Sequence, residues 1–219
     1  MKMTYDYLPG TQIYLHQRKD MFRMNTDTAL LGNFMKVKED ETVLDIGTNN
    51  GALLLYASQY TKAKLIGIDI QQEACDLAIQ NLKDQNIENF EVICSDIADV
   101  QIEPVDVIVC NPPYFRVNSS QQLNENEYKR IARHECYLTM DVLCKSVNRL
   151  LKEKGRFYLV HRADRLVDLC VELRNAELEI KTIQMIRDCE NEDAHGILIE
   201  AVKQGKPHCI VKSEHIVKR

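Results

Sequence analysis

The sequence has no long apolar run, no closely spaced cysteine pair, and no internal repeat or low-complexity tract. Its uninterrupted apolar runs, such as residues 53–57 and 107–110, fall far short of the ~20 residues that cross a bilayer. The first residues lead into no continuous apolar segment with a small-residue cleavage site. We therefore expect a cytoplasmic protein with no membrane partner.

The cysteines carry no signature of a metal centre or a disulfide framework. They stand at positions 75, 94, 110, 136, 144, 170, 189 and 209, without a C-x-x-C pair or another close cysteine or histidine spacing. Zinc sites and disulfide frameworks are recognised by such spacings. The sequence therefore predicts reduced structural thiols and no bound metal.

The 219 residues have an ordinary globular composition, but their charge is unevenly distributed. Hydrophobic residues make up 45% and charged residues 28%, and the net charge at pH 7 is -5. Residues 41–115 carry a net charge of -9, whereas residues 116–165 carry +5. In the basic segment, Lys129, Arg130 and Arg133 are candidates for phosphate contacts, although a solvated helical face would show the same charge run.

From residue 42 onward, short apolar runs alternate with helical patterns, which is typical of βαβ units around a parallel sheet. Strands are predicted at residues 42–46, 65–69, 90–94, 105–110, 157–161, 178–187 and 196–203. Helices are predicted at residues 28–35, 52–60, 72–85, 138–154 and 163–175, and Asp27 is expected to cap the first of them. Residues 1–20 are expected to be irregular.

This order of elements predicts an α/β, Rossmann-like fold. Its sheet has seven strands and is mostly parallel, with an antiparallel C-terminal hairpin and helices on both faces. The length favours a single domain over residues 1–219. In that domain, residues 1–40 are an N-terminal segment and helix, residues 41–205 the core, and residues 206–219 a basic tail.

Residues 45–51 (Asp-Ile-Gly-Thr-Asn-Asn-Gly) lie where a predicted strand ends and a helix begins. Gly47 allows a tight turn with a ligand against bare backbone, and Gly51 allows the helix to start close to the sheet. Asn49 stands where a third glycine is usual, and asparagine tolerates a left-handed conformation. A structural turn without a ligand would have the same glycines.

Two carboxylates follow the next two strands. Asp69 stands where an acidic residue binds ribose hydroxyls in nucleotide-binding βαβ folds, although it could also cap the helix that follows. Asp96 could accept a hydrogen bond from an adenine amine while Ile70 and Ile97 contact the ring. The alternative for Asp96 is an Asx turn.

The motif Asn111-Pro112-Pro113-Tyr114 directly follows the predicted strand at residues 105–110. Its prolines fix the backbone without offering donors. The Asn111 side-chain oxygen and the Pro112 carbonyl can each accept one hydrogen of a planar amine, and Tyr114 can stack on the base that carries it. This motif predicts a catalytic acceptor site of Asn111, Pro112 and Tyr114.

Together these motifs resemble those of class I S-adenosylmethionine-dependent methyltransferases that methylate amines. The C-terminal hairpin agrees, because dinucleotide dehydrogenases usually keep the sheet parallel. Such motifs occur in adenine-N6, guanine-N2 and protein glutamine-N5 methyltransferases. The resemblance implies S-adenosyl-L-methionine as cofactor, bound by Asp45, Gly47, Thr48, Asn49, Gly51, Asp69, Ile70, Asp96, Ile97 and Asn111.

Four segments resemble the bacterial tRNA-valine adenine-37 N6-methyltransferase family. They are residues 22–31, 45–51, 131–135 and 160–166, and the resemblance extends over roughly residues 10–205. It implies that Asn25, Thr26 and Asp27 lie near the methionine end of the cofactor. It also implies that Arg133, His134, His161 and Arg162 lie near substrate RNA or the floor of the site, although His134 and His161 could be packed or capping residues.

The resulting hypothesis is a methyltransferase that acts on the N6 amine of an adenine in tRNA, at position 37 next to the anticodon. The closest alternatives are a glutamine-N5 protein methyltransferase and a guanine-N2 RNA methyltransferase. The former usually carries an additional N-terminal helical domain, whereas only about 40 residues precede the first core strand here. An RNA-binding module without catalysis and a nucleotide-dependent oxidoreductase are alternatives that the Asn-Pro-Pro-Tyr motif disfavours.

Overall fold

The computed structural model describes residues 2–112 and 139–217, in which an N-terminal hairpin precedes a layered α/β arrangement. The hairpin consists of β1 (Met3–Tyr7) and β2 (Tyr14–Arg18). The later strands are β3 (Val43–Ile46), β4 (Leu65–Asp69), β5 (Phe90–Cys94), β6 (Val105–Cys110), β7 (Leu151–Arg162), β8 (Leu178–Arg187), β9 (Gly196–Lys203), β10 (Ile210–Val211) and β11 (His215–Ile216). The helices are α1 (Thr26–Phe34), α2 (Ala52–Ala57), α3 (Gln72–Asp84), α4 (Met140–Leu150) and α5 (Leu166–Asn175).

The central sheet has the strand order β5-β4-β3-β6-β7-β9-β8, and the short strands β10 and β11 pair with the outer edge of β8. Neighbouring strands are parallel except that β9 is antiparallel to both β7 and β8. The chain moves outward from β3 to β5 and then returns to β6 on the other side of β3. Ligands of open α/β sheets bind beyond the carboxyl ends of the strands at such a reversal.

Helices cover both faces of this sheet. On one face, apolar residues of α1 and α2 pack with those of the sheet, including Leu31, Leu54 and Tyr158. On the other face, α4 and α5 contribute Val147 and Leu173 to a second buried cluster. The strands β3 and β4 are buried along their whole length, as expected for parallel strands between two helical layers. In the part of the chain that the structure describes, no helix has the length and apolarity needed to cross a membrane.

The predicted fold class is confirmed, and six of the seven predicted core strands agree within one residue. The exception is the strand predicted at residues 157–161, which begins at Leu151. The predicted helix at residues 138–154 is therefore too long, because Leu151 pairs with Val105 as soon as α4 ends. The predicted helix at residues 52–60 ends at Ala57, and the one at residues 163–175 starts with a 3-10 turn at Ala163–Arg165.

Three expectations outside the core are wrong. Residues 1–20 were expected to be irregular but contain the antiparallel β1–β2 hairpin. The side chain that caps α1 belongs to Asn25, which accepts from the Thr28 backbone N–H at 3.0 Å, whereas Asp27 lies inside the first turn. The basic tail is part of the sheet, because β10 and β11 run parallel to β8. The sheet thus has nine strands among the described residues.

Candidate functional site

The carboxyl ends of β3, β4, β5 and β6 bring the predicted motifs to one edge of the sheet. Ile46 of β3 pairs with Cys110 of β6, so Gly47 and Asn111 follow neighbouring strand ends, which are about 4.8 Å apart in a sheet. On the other side of β3, Asp69 ends β4 opposite Cys94 at the end of β5. The glycine turn, Asp69, Asp96 and Asn111 therefore surround the crevice at the reversal of strand order.

The turn after β3 is held by the backbone of β4 and leaves open space beside Gly47. The backbone N–H groups of Gly47 and Thr48 donate to the Ile68 carbonyl at 2.8 and 2.9 Å. Gly47 has a φ of 73°, and a Cβ at this position would meet no atom within 4 Å. The second glycine differs, because a Cβ on Gly51 would lie 3.4 Å from Ala78. Gly51 therefore serves close helix packing, whereas Gly47 offers bare backbone to a ligand.

Asn49 takes the left-handed conformation that the sequence predicts, with a φ of 49°. Its backbone N–H donates to Asp69 Oδ2 at 2.9 Å, and its side-chain Nδ2 donates to the Phe22 carbonyl at 2.6 Å. A glycine here could not make the second bond. Asn49 thus connects the turn to the segment that leads into α1.

Asp45 is a buried carboxyl group with one oxygen bonded and one without a partner. Its Oδ2 accepts from the Thr48 hydroxyl at 2.9 Å, whereas Oδ1 has no hydrogen-bond partner among the described residues. The pKa of Asp45 is raised to about 7, chiefly by burial and also by the charge of Asp69, against the lowering effect of the Thr48 hydrogen bond. A buried oxygen without a donor beside bare backbone is the arrangement expected where a polar ligand supplies the missing partner.

Asp69 is held by two backbone donors at the edge of the crevice. Its Oδ2 accepts from Asn49 and its Oδ1 from the Gln71 backbone N–H at 3.0 Å. The N-cap residue of α3 is Gln71, whose own side chain forms no cap bond, so Asp69 contacts the start of that helix through the Gln71 backbone N–H. The next residue, Ile70, is 44% exposed, so it presents apolar surface beside this carboxylate.

The segment after β5 forms the Asx turn that was the alternative reading of its sequence. Asp96 Oδ1 accepts from the Ala98 backbone N–H at 2.9 Å, which fixes the carboxylate near the end of β5. Ile97 is only 4% exposed and packs in the core cluster that contains Ile66 and Val147. The exposed apolar side chain at this edge is therefore that of Ile70, and contact of Ile97 with a ligand stays a prediction.

The side chain of Asn111 is oriented by α1 through a residue that the sequence reasoning missed. Its Nδ2 donates to the Thr28 hydroxyl at 3.0 Å, and that hydroxyl donates to Asn25 Oδ1 at 3.1 Å. Thr28 is separated from Asn111 by 83 positions, so local sequence carries no signal of the pair beyond its place in the segment 22–31. Pro112 is buried, while Tyr114 lies outside the described residues.

His161 and Arg162 end β7, the strand next to β6. Burial lowers the pKa of His161 to about 4, and the positive charge of Arg165 adds to this effect, so the imidazole is neutral at physiological pH. Its Nδ1 accepts from the Arg162 backbone N–H at 2.9 Å. Arg162 itself forms a bidentate pair with Asp164, at 3.2 and 2.8 Å. The other predicted RNA contacts, Lys129, Arg130, Arg133 and His134, lie outside the described residues.

Residues 37–210 match the family described as "Methyltransferase domain". Among curated proteins, relatives named tRNA1(Val) (adenine(37)-N6)-methyltransferase come from Shewanella halifaxensis, Phocaeicola vulgatus and Cytophaga hutchinsonii, with 34%, 32% and 28% identity. The alignments cover 63%, 72% and 86% of this chain and 56%, 67% and 80% of those proteins. The chain thus spans little more than half the length of the Shewanella protein.

Solved structures share the fold at low sequence identity. A protein from Agrobacterium tumefaciens described as a predicted O-methyltransferase superposes with a TM-score of 0.67 at 15% identity, covering 87% of each chain. An S-adenosylmethionine-dependent methyltransferase from Aquifex aeolicus has a TM-score of 0.59 at 16% identity, covering 81% of this chain and 89% of that one. A 16S rRNA N2 G1207 methyltransferase from T. thermophilus has a TM-score of 0.65 at 17% identity, covering 92% and 50%.

Proposed function

Because the chain belongs to the methyltransferase-domain family, we propose that it transfers a methyl group from S-adenosylmethionine to the N6 amine of an adenine in tRNA. The observation that carries the proposal is Asn111, held by Thr28 at a strand end beside the glycine turn. The names of the curated relatives support adenine 37, next to the anticodon, as the base that is methylated.

The glycine turn and its neighbours fit S-adenosylmethionine. The buried Asp45 Oδ1 lacks a donor among the described residues, and a ligand ammonium group beside Gly47 would supply one. Asp69, held by two backbone N–H groups, would accept from ribose hydroxyls. Ile70 would contact the adenine ring and Asp96 its amine, while Asn25 and Thr26 would lie toward the methionine end.

Asn111 and Pro112 would bind the amine that accepts the methyl group. When bound, S-adenosylmethionine supplies an electrophilic methyl group on a sulfonium. The Asn111 side-chain oxygen and the Pro112 carbonyl would each accept one N6 hydrogen and draw the nitrogen lone pair out of conjugation. These two acceptors would hold the nitrogen for the methyl group, which would leave the sulfonium as the new N–C bond formed, and one N6 proton would be released to solvent. The base must leave its stack to reach this site, where Tyr114 would stack on it.

The RNA would be bound by the basic residues that the sequence identifies. Lys129, Arg130, Arg133 and His134 follow the acceptor motif in the chain and would contact phosphates around an inserted base. Arg162 is the last residue of β7, the strand beside β6. To bind a phosphate, its guanidinium would have to release or share the donors that it gives to Asp164.

The test is transfer of labelled methyl to a tRNA transcript, followed by mass spectrometry of its nucleosides. We expect N6-methyladenosine with the wild-type protein and at least a 100-fold lower rate with Asn111→Ala, about 3 kcal/mol of transition-state stabilisation. Binding of S-adenosylhomocysteine should be nearly unchanged. Activity of the variant within threefold of wild type, or methylation of guanine or of protein glutamine instead, would contradict the proposal.

A second variant tests whether Thr28 positions Asn111. Thr28→Val removes the hydroxyl that accepts from Asn111, and we expect kcat to fall about tenfold with little change in KM for the cofactor. Thr61→Val is the matched control, since this buried hydroxyl donates to the Glu39 and Glu41 carbonyls beyond the far end of α2. It should lower stability without lowering kcat.

A further inference from the structure

The outer face of the β1–β2 hairpin is an exposed strip of aromatic side chains. The hairpin alternates, so that Leu15 and Gln17 point inward and are buried. The opposite face presents Tyr5, Tyr7 and Tyr14, which are 55%, 46% and 46% exposed. Aromatic side chains of this size are usually covered, and a contiguous exposed group of them marks an interaction surface.

The rings of this face, here called the tyrosine strip (Tyr5, Tyr7, Tyr14 and His16), are in contact with one another. Tyr5 stacks on Tyr14 with centroids 5.5 Å apart and an interplanar angle of 21°. Tyr5 also lies 4.7 Å from the His16 ring, and Tyr7 lies 5.6 Å from the Tyr14 ring. The mutual contacts restrict the rings, so little side-chain entropy remains to be lost when a further flat group stacks on them.

The tyrosine strip extends from the end of α3 toward the glycine turn. At the far end, Gln85 donates to the Tyr14 carbonyl at 2.8 Å. Three residues further along β2, Gln17 Oε1 accepts from Asn50 of the glycine turn at 3.3 Å and from the Met24 backbone N–H at 2.7 Å. The strip is thus fixed to the same turn that borders the catalytic crevice.

Two lysines stand at the end of the hairpin nearest the crevice. The Lys19 backbone N–H donates to the Lys2 carbonyl at 3.3 Å, which places the two residues side by side. Both are exposed, and within the described parts of the chain neither has a carboxylate at ion-pair distance. Residues 2–23 carry a net charge of +2 in a protein of net charge -5. The hairpin therefore carries flat aromatic rings on its outer face and two lysines at its open end, beyond the last strand pair, while Asp84 lies 3.4 Å from His16 at the side of the strip.

We propose that the tyrosine strip stacks unpaired bases of the substrate RNA while Lys2 and Lys19 contact its phosphates. Exposed aromatic rings on a small sheet beside cationic side chains are the combination that binds single-stranded RNA with little sequence preference. The proposal rests on the proposed function, because it gives the methylated RNA a second contact outside the catalytic crevice. A protein partner would bury the apolar area equally well but would not account for the two lysines at the open end of the hairpin.

The experiment compares two double variants that differ in the flat ring. Tyr5→Ile with Tyr14→Ile keeps apolar, strand-favouring side chains but removes the stacking surface, whereas Tyr5→Phe with Tyr14→Phe keeps it. We expect the isoleucine pair to weaken tRNA binding tenfold or more, with kcat at saturating tRNA and affinity for S-adenosylhomocysteine unchanged. The phenylalanine pair should bind as wild type does. Tyr60→Ile, at another exposed tyrosine just beyond α2, is the control and should have no effect.

Salt dependence tests the lysines separately. Lys2→Ala with Lys19→Ala should reduce the slope of log K against log [salt] by roughly 1.4 if both contact a single strand. Wild-type RNA affinity in the isoleucine pair would overturn the proposal, and a changed oligomeric state in that variant would assign the strip to contact between copies. If the wild-type protein binds tRNA without methylating it, the proposed function is contradicted. The effect of the isoleucine pair on tRNA binding then still tests the role of the strip. A wild-type protein that does not bind tRNA would overturn both.

Discussion

The pKa of Asp45 differs between the folded and the unfolded protein. In the folded protein the pKa is raised to about 7, chiefly by burial, although one of its oxygens accepts from the Thr48 hydroxyl. The unfolded chain would titrate near the ordinary value of 3.8. Between these values the folded state holds a proton that the unfolded state has lost, so raising the pH destabilises the fold through this group.

We expect Asp45→Asn to flatten the pH dependence of the free energy of unfolding between pH 4 and pH 8. The wild-type protein should lose on the order of 3 kcal/mol across this range through Asp45, and the amide variant should not. Urea unfolding at several pH values measures the difference between the two proteins. His161 acts in the opposite direction, since its lowered pKa favours folding as pH rises, but it contributes to both curves and cancels. Parallel curves would contradict the raised pKa of Asp45.

The conformation of a site residue was predictable from the sequence where it depends on that residue's own type. Asn49 was expected to adopt a left-handed conformation in place of a glycine, and it does. Its bond to Phe22 and the bond of Asn111 to Thr28 join positions 27 and 83 residues apart. Such contacts depend on how α1 packs over the sheet, which no local pattern contains. The predicted ligand contacts of Asp69, Asp96 and Ile70 stay predictions.

At the scale of elements, the core strands were predictable because their apolar runs are buried on both faces. The β1–β2 hairpin was not predictable, because its large aromatic residues face outward and a polar residue faces inward, the reverse of the usual alternation. Tyrosines face outward, while the inward Gln17 is satisfied by Asp6 at 2.6 Å and by the glycine turn. Likewise, residues 151–154 have helix-favouring side chains, but the helix ends before Leu151, which pairs with Val105 of β6.

The side chain of Asn81, in α3, forms hydrogen bonds with the backbone of β2 of the kind that a neighbouring strand would form. Its Oδ1 accepts from the His16 backbone N–H at 2.7 Å, and its Nδ2 donates to the His16 and Asn50 carbonyls, both at 2.9 Å. One buried amide therefore satisfies three backbone groups and joins the hairpin, α3 and the glycine turn.

We expect Asn81→Ala to lower the free energy of unfolding by about 3 kcal/mol, because it leaves these backbone groups without partners. The hairpin should also become more accessible to proteases and exchange its amide hydrogens faster. Asn89→Ala is the control, since the Asn89 side chain is exposed and donates one long bond of 3.3 Å to the Lys62 carbonyl. A stability loss equal to that of the control would show that Asn81 does not join the three elements.

For the whole molecule, the outer edge of the sheet depends on the C-terminal segment. Strands β10 and β11 cover successive parts of β8, from Thr182 to Arg187. Between them, Lys212 lies over the Phe34 ring at 5.1 Å, and Glu214 pairs with Arg187 at 2.7 Å. The sequence predicts only a basic tail here, because two-residue strands have no detectable periodicity. The contacts show instead that it covers an edge that would otherwise expose unpaired backbone groups.

Removal of residues 206–219 should therefore destabilise the protein and promote its association. The lost ladder bonds, cation–π contact and ion pair suggest a decrease on the order of 2 kcal/mol, which lowers Tm by roughly 4–8 °C in a chain of this size. Calorimetry measures the decrease, and light scattering at rising concentration detects pairing through the uncovered β8 edge. Removal of residues 218–219 alone is the matched control, because it keeps every residue that pairs with β8. If the long truncation unfolds at the wild-type temperature and stays monodisperse, the C-terminal strands do not stabilise the sheet, and the tail would act only through its charge. A loss of stability that high salt abolishes would point to the same conclusion, because salt screens ion pairs but leaves strand pairing intact.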